Sequence, residues 1–236
     1  MNKLNESFTL FGAKRNYFMC PSSLCSQLSL NIKNDENIKF HKDTYRDNFK
    51  YVKNDIVDNK VTHSFHDAMK EIIDRRIKFI SKYVDKNTDL LDVGAGAGTF
   101  TYVLKDKVKN VECLELDKRL VAEIKRLNMN SYSKPFEACD FSKTFTHVTM
   151  WHVFEHVLFG NEFLKKAHSI LDKDGLLFVE VPINRAMRNE RTKYDGHIHH
   201  YNEKSLPVII ENNNFSIIEK LHGLQNKSFL VVARKK

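Results

Sequence analysis

Three of the chain's eight glycines fall within five residues, at Gly94, Gly96 and Gly98, directly after the apolar run Leu90-Leu91-Asp92-Val93. Glycine permits a tight turn and lets a ligand touch backbone where a Cβ would intrude. A dinucleotide fingerprint would place its third glycine at position 99, which is Thr99, and a phosphate loop would need Gly-Lys-Ser/Thr, which is absent. Glu115 closes the next apolar run, where its carboxylate can accept two hydroxyl hydrogen bonds from a ribose. Asp140 and Phe141 follow a third, weakly apolar stretch. A carboxylate or backbone group there can meet an adenine amino group, and the Phe141 ring can pack on the base. Together these residues describe a site for one adenosine-bearing ligand without a pyrophosphate.

A second group of residues could move protons. Five of the eleven histidines, His152, His156, His197, His199 and His200, lie in two short segments. A positioned imidazole is the usual means of taking a proton from an alcohol. His152 and His156 are four apart and share a face if they lie in a helical turn. His156 is the favoured base or orienter, with Glu155 fixing its tautomer or the geometry of the segment. The competing reading is that His156 only caps the turn and packs there. His152-Val153-Phe154-Glu155-His156 also matches an inverted zinc-protease signature. That signature needs a long helix and a distant third ligand, and Phe159-Gly160 ends this segment within four residues.

The elements that must position these groups alternate. Apolar strands are expected at Asp89–Val93, Val111–Leu116, Thr146–Trp151 and Leu176–Val181, with a weak one, or its exit loop, at 136–141. Helices are expected at Thr99–Lys105, Lys118–Leu127, Glu162–Leu171 and Ser205–Asn212. Asp172 to Gly175 reads as a turn, and Phe215–Lys220 with Phe229–Ala233 as a terminal hairpin. This rhythm predicts an α/β fold: a Rossmann-like, mostly parallel sheet with helices on both faces. A helix face is also expected over 61–85, from Ala68, Ile72, Ile73, Ile77, Ile80 and Val84, capped by Thr62 or Ser64. Residues 1–60 show no period and read as an irregular extension, a lid or a vestigial cysteine knuckle, ahead of a domain spanning 61–236. Cys20 and Cys25 form the one cysteine pair before Cys113; His41, His63 or His66 could complete a zinc site, but no spacing demands it. Cys113 and Cys139 read as packing residues.

The formal charge of +8 is uneven: +3 over residues 1–60, zero over 61–182 and +5 over 183–236. Four scattered cysteines and no apolar stretch of membrane length predict a cytoplasmic protein with no membrane partner.

Leu90-Leu91-Asp92-Val93-Gly94-Ala95-Gly96-Ala97-Gly98-Thr99-Phe100 resembles motif I of the class I S-adenosylmethionine-dependent methyltransferases. Trp151 to Val157, Leu171 to Pro182, and His197 to Leu206 with its His-x-x-His-aromatic pattern are similar to segments of the ubiquinone-biosynthesis-like O-methyltransferase subgroup. The resemblance spans about residues 65–236. It implies a seven-stranded sheet with an antiparallel last strand. It implies S-adenosylmethionine as donor, leaving S-adenosylhomocysteine. Asp92, Gly94, Ala95 and Gly96 would then approach the methionine part, Glu115 and Leu116 the ribose, and Asp140, Phe141 and Trp151 the rest of the cofactor pocket. Catalysis would fall to His156, His152, Glu155 and His200. The subgroup's proposed metal positions include 155 and 156, but position 152 is His where the subgroup places an acid, and no metal is expected.

A sulfonium methyl is already activated, so transfer is an in-line displacement that chiefly needs alignment. In this fold the segment after the fifth strand overhangs the acceptor. It holds Arg185, Arg188, Arg191 and Lys193, and arginine forks suit phosphate or carboxylate. With His197, His199 and Tyr201 they define an expected site for a small anionic acceptor, such as a phosphorylated metabolite or nucleotide-linked sugar. Nucleic acid is a disfavoured partner: neither an Asp/Asn-Pro-Pro-aromatic motif nor a Pro-Cys follows the fourth strand. A catalytically silent binding partner is the third alternative.

Overall fold

The computed structural model describes residues 33–43, 66–67, 69–183, 197–223 and 227–236 in full, and 2–10, 13–19, 26–28, 56–57, 60–61, 63–65 and 68 as backbone. The chain opens with β1 (Asn2–Leu10), β2 (Ala13–Met19), β3 (Ser26–Leu28) and α1 (Asn34–Asp43). Then come β4 (Ile56–Val57), β5 (Lys60–Val61), α2 (His63–Ile80), β6 (Asp89–Val93), α3 (Thr99–Leu104), β7 (Asn110–Leu114), α4 (Lys118–Arg126), β8 (Asn130–Tyr132) and β9 (Phe145–Trp151). The remainder is α5 (Gly160–Ile170), β10 (Leu171–Pro182), β11 (His199–His200), α6 (Ser205–Glu211), β12 (Phe215–His222) and β13 (Ser228–Lys235). No described helix is long and apolar enough to cross a membrane.

Seven strands form one sheet in the order β12-β13-β10-β9-β6-β7-β8. β6, β7 and β8 run parallel, in register from Asp89 opposite Asn110 and Glu112 opposite Asn130. β13 is antiparallel to both β10 and β12, between which it lies. This is the Rossmann-like architecture expected from the strand–helix alternation, with the antiparallel terminal hairpin in place.

The chain divides into two compact units, one of Ile38–Thr149 with Ile170–Gly175, the other of Met1–Asn37, Met150–Ser169 and Leu176–Lys236. In the first unit, Leu90, Leu91 and Val93 are buried on β6, and Leu120 and Ile124 are buried on α4. A strand buried on both faces is apolar throughout, which is why this run shows no alternation. In the second unit, Leu177, Phe178, Val179 and Val181 pack with Leu230, Val231 and Val232 of the hairpin ladder among the buried residues.

Three expectations are corrected. The third strand is not at 136–141 but at Asn130–Tyr132, while Phe136–Ala138 form a 3₁₀ turn behind Pro135. β8 lies at the sheet's edge, so polar Asn-Ser-Tyr suffices and leaves no apolar signal. Its anchor is the Tyr132 hydroxyl, which donates to Glu112 Oε2 at 2.6 Å. β10 starts at Leu171, and the expected turn lies within it: Asp174 is left-handed (φ 61°), and pairing with β13 begins at Leu176. The described part of residues 1–60 is not irregular. β1, β2 and β3 join β11 in a four-stranded antiparallel sheet, with His199 opposite Gln27 and His200 opposite Ser26. Their Asn-, Lys- and Ser-rich sequence hides strands that backbone pairing holds. Cys20, Cys25, Ala68 and the cap candidates Thr62 and Ser64 lie outside the fully described residues.

Candidate active site

The glycine turn is built as its composition demands. Gly94, Gly96 and Gly98 have φ of 72°, 60° and 74°, in the left-handed region that an ordinary side chain resists. The turn folds onto the end of β7: the N–H groups of Gly94 and Ala95 both donate to the Leu114 carbonyl, at 2.8 and 3.0 Å. Gly98 opens α3, and a Cβ there would lie 2.7 Å from Met129 Cε.

Glu115 does more than spacing reveals. Its Oε2 accepts from Gly96 N–H at 2.8 Å, and its Oε1 from Leu116 and Asp117 N–H at 2.8 and 3.0 Å. The carboxylate thus ties the glycine turn to the strand-exit loop. Asp117 caps α4, accepting from Arg119 N–H at 2.9 Å and pairing with its guanidinium at 2.7 Å.

Asp92 is buried at the end of β6 and accepts from the Thr149 hydroxyl at 2.6 Å. Burial pushes its carboxyl up to about 7, against the pull of the Thr149 hydrogen bond and the Arg76 charge. Thr149 and Arg76 escape sequence reasoning. The only signal is a hydroxyl inside the apolar run of β9 and a buried arginine (7% exposed) on the inner face of α2. His66 is likewise recruited here. Its Nδ1 lies 2.6 Å from Thr99 Oγ1 and its Nε2 3.6 Å from Glu123. Asp140 is exposed, and Phe141 sits edge-on in a cluster with Tyr132 and Phe145, at 4.9 and 5.5 Å between centroids. Burial pushes the Cys113 thiol up to about 12, and both Cys113 and Cys139 are buried free cysteines, as expected of packing residues.

The histidine cluster belongs to the other unit and is centred on Glu155, which is 1% exposed. Its Oε1 lies 3.7 Å from His152 Nδ1, 3.8 Å from His156 Nε2 and 3.8 Å from His197 Nε2. His156 and His197 meet edge to face at 4.8 Å, and His197 and His200 at 5.6 Å. The two sequence segments are joined by backbone: Ile198 N–H donates to the Glu155 carbonyl at 2.9 Å. His152 and His156 do not share a helical face. Residues Phe154–His156 make one 3₁₀ turn, and His152 before it is left-handed (φ 58°). That turn also removes the long helix an inverted zinc-protease motif requires.

Two members of the cluster's surroundings were not foreseen. Buried Glu180 on β10 lies 4.0 Å from His152 Nε2 and accepts from the Ser228 hydroxyl at 2.5 Å. Its signal is the lone acid in Leu-Leu-Phe-Val-Glu-Val. Asn37 of α1, also buried, donates from Nδ2 to the His156 carbonyl at 3.0 Å. Tyr201 stacks on Phe154 at 5.0 Å and is 8% exposed, so it packs rather than offering a surface to an acceptor. His199 packs against Tyr201 at 5.4 Å, and burial pushes its imidazole down to about 4. Trp151 is buried at the end of β9. Arg185, Arg188, Arg191 and Lys193 lie outside the described residues.

A glycine turn leaving the first strand of a doubly wound sheet, locked by an acid after the second, defines a nucleoside-binding α/β protein with a class I methyltransferase architecture. The family profile described as "Methyltransferase domain" matches residues 65–220, and the chain belongs to that family of S-adenosylmethionine-dependent methyltransferases. Solved structures share the fold. The magnesium protoporphyrin IX methyltransferase of Synechocystis PCC 6803 with bound S-adenosylmethionine aligns at TM-score 0.62 and 13% identity, covering 88% of this chain and 100% of that one. The N-methyltransferase NodS of Bradyrhizobium japonicum WM9, bound to S-adenosylhomocysteine, aligns at 0.56 and 14%, covering 70% and 86%. An S-adenosylmethionine-dependent methyltransferase of Clostridium acetobutylicum aligns at 0.57 and 12%, covering 70% and 91%. No curated protein matches the sequence.

Proposed function

We propose that this methyltransferase acts on an oxygen of a small anionic acceptor, with an imidazole of the Glu155 cluster as general base. The observation that carries the reading is the ring of imidazole nitrogens 3.7–3.8 Å from one buried carboxylate oxygen. An alcohol must lose its proton as the methyl arrives, and a carboxylate beside the accepting imidazole stabilises the cation that forms. His152 best suits that role: its side chain is 40% exposed, against 10% for His156 and 14% for His197. Its two nitrogens face Glu155 and Glu180, so both carboxylates act on it. His156 then becomes an orienting group.

On the donor side, the proposal gives Asp92 the methionine ammonium and Glu115 the ribose hydroxyls. Gly94, Ala95 and Gly96 supply backbone at close approach. The basic segment with Arg185 and Arg188 supports an anionic acceptor, since guanidinium forks bind phosphate and carboxylate in two parallel hydrogen bonds. The fold-sharing structures are named for a porphyrin and for N-methylation, so the acceptor class is argued from this chain's own residues.

The test uses full-length protein, S-adenosylhomocysteine calorimetry and transfer of labelled methyl to a panel of phosphorylated sugars, nucleotide-linked sugars and RNA. His152→Ala should cut kcat by roughly 100-fold or more with S-adenosylhomocysteine affinity unchanged, and Arg185→Ala with Arg188→Ala should raise acceptor KM alone. Labelling of RNA only, with a steep salt dependence, would replace the small acceptor by nucleic acid.

A further inference from the structure

We propose that His66 is a positioning residue of the donor site: through Thr99 it latches α2 across the glycine turn, so that docking of α2 and binding of the donor favour each other. Along α2, His66, Met69, Ile73, Arg76 and Ile80 recur at spacings of three and four, which places them on one face. Ile73, Arg76 and Ile80 are buried, while Asp67, Lys70, Glu71, Asp74 and Lys78 are exposed. The inner face meets the donor motif at three successive levels. His66 Nδ1 lies 2.6 Å from Oγ1 of Thr99, the first residue of α3. Met69 packs against Ala97 inside the turn and Leu120 of α4. The Arg76 guanidinium acts electrostatically on Asp92 at the end of β6.

The latch sits where the chain lacks a cap of its own. Gly98 stands at the cap of α3 and has no side chain to accept from the helix's first N–H groups. Thr99 carries the first polar side chain after the three glycines, and His66 meets it from outside the motif. Behind the ring, buried Glu123 is fixed by Arg126, whose Nη2 and Nε donate to it at 2.6 and 2.9 Å. Its Oε1 lies 3.6 Å from His66 Nε2. A carboxylate on that side favours hydrogen on Nε2, which leaves the Nδ1 lone pair to accept from the Thr99 hydroxyl. A hydroxyl can also accept, so the contact holds whichever way the ring is protonated. One imidazole thus joins α2, α3 and α4 beside the turn. Coupling of this kind is reciprocal: whatever factor the docked helix adds to donor affinity, the donor adds to docking of the helix.

The experiment uses full-length protein with S-adenosylhomocysteine as the probe, read by calorimetry and hydrogen exchange, and needs no acceptor. His66→Ala and Thr99→Val should each weaken binding by roughly tenfold. The double variant should bind no more than about twofold worse than either alone, because both changes remove one contact. His66→Asn, whose amide reaches the place of Nδ1, should recover most of the affinity, and His66→Gln, whose amide reaches the place of Nε2, should not. In the wild type, the ligand should slow amide exchange over residues 69–80 together with 94–104, a measurement that needs no variant to fold. Additive losses in the double variant, affinity equal to wild type in both single variants, or protection of 94–104 with exchange in α2 unchanged would each overturn the latch. In those three results the wild type still binds the probe and the donor site stands. Absence of binding by the wild type would instead remove the donor site and the latch with it.

Discussion

Gly96 donates its backbone N–H to Oε2 of Glu115 across 2.8 Å, joining the glycine turn to the residue that follows the next strand. The acid expected to hold a sugar is also the clasp of the turn expected to hold the amino-acid end. A buried carboxylate accepting three backbone N–H groups cannot be replaced isosterically. An amide presents an N–H₂ group to a donor that needs an acceptor.

Glu115→Gln should therefore lower folding stability by about 1–3 kcal/mol and weaken S-adenosylhomocysteine binding by at least roughly tenfold. Urea unfolding and calorimetry measure the two effects. A normal stability with lost binding would confine Glu115 to the ligand, and the clasp would be irrelevant.

Asp92 and His199 tilt the pH dependence of stability in opposite senses. Burial raises Asp92 from 3.8 to about 7, so between these values the folded state holds a proton the unfolded state releases. Its stabilisation is full below pH 3.8 and is lost as pH rises through 7. Asp92→Asn should flatten that fall, gaining most over wild type near pH 8 and least near pH 4. Thermal unfolding across that range decides it; a constant difference between the two proteins would show that Asp92 ionises normally.

The glycine turn and the strands from Asp89 to Val181 are legible because their chemistry is local: periodicity, left-handed positions and one acid per strand end. The rest depends on contacts between residues far apart in sequence. Asn130–Tyr132 pairs as an edge strand with no apolar pattern. Ser26–Gln27 is paired with His199–His200 by main chain, which composition does not encode. His152 and His156 look like a helical pair, but the left-handed turn at His152 breaks that geometry, and a positive φ at a histidine has no reliable sequence mark. The five-histidine concentration was visible; which imidazoles face Glu155 and which only pack was not.

His199 supplies the opposite slope. Its burial lowers the imidazole from 6.5 to about 4, so the unfolded chain binds the proton first. Its stabilisation is complete above 6.5 and is lost as pH falls through 4. His199→Gln should make stability less sensitive to acid in that window, whereas Asp92→Asn should leave wild type's acid sensitivity more pronounced. Chemical denaturation at pH 4.5 and 6.5 separates the two, and parallel profiles for wild type and His199→Gln would mean the ring charges freely in the folded chain.

Asn37 joins the His156 end of the histidine cluster through a buried bond, Nδ2 to the His156 carbonyl at 3.0 Å. The carbonyl lies at the end of the 3₁₀ turn that carries Glu155 and His156, where no continuing helix offers it an N–H. Asn37→Leu keeps the volume but removes the donor, leaving a buried acceptor at a cost of about 1–3 kcal/mol. Because the bond ends on main chain, the loss should also loosen the His156 ring relative to Glu155. Activity should fall through kcat, and S-adenosylhomocysteine affinity should not change, since the glycine turn and Glu115 are untouched. Asn37→Asp tests the same contact from the other side: a carboxylate cannot donate to the carbonyl and adds a buried negative charge. It should therefore be worse than leucine above the carboxylate's titration and recover as the group is protonated. Equal stability of both variants with wild type, by urea unfolding, would show that the Asn37 contact contributes nothing to the cluster.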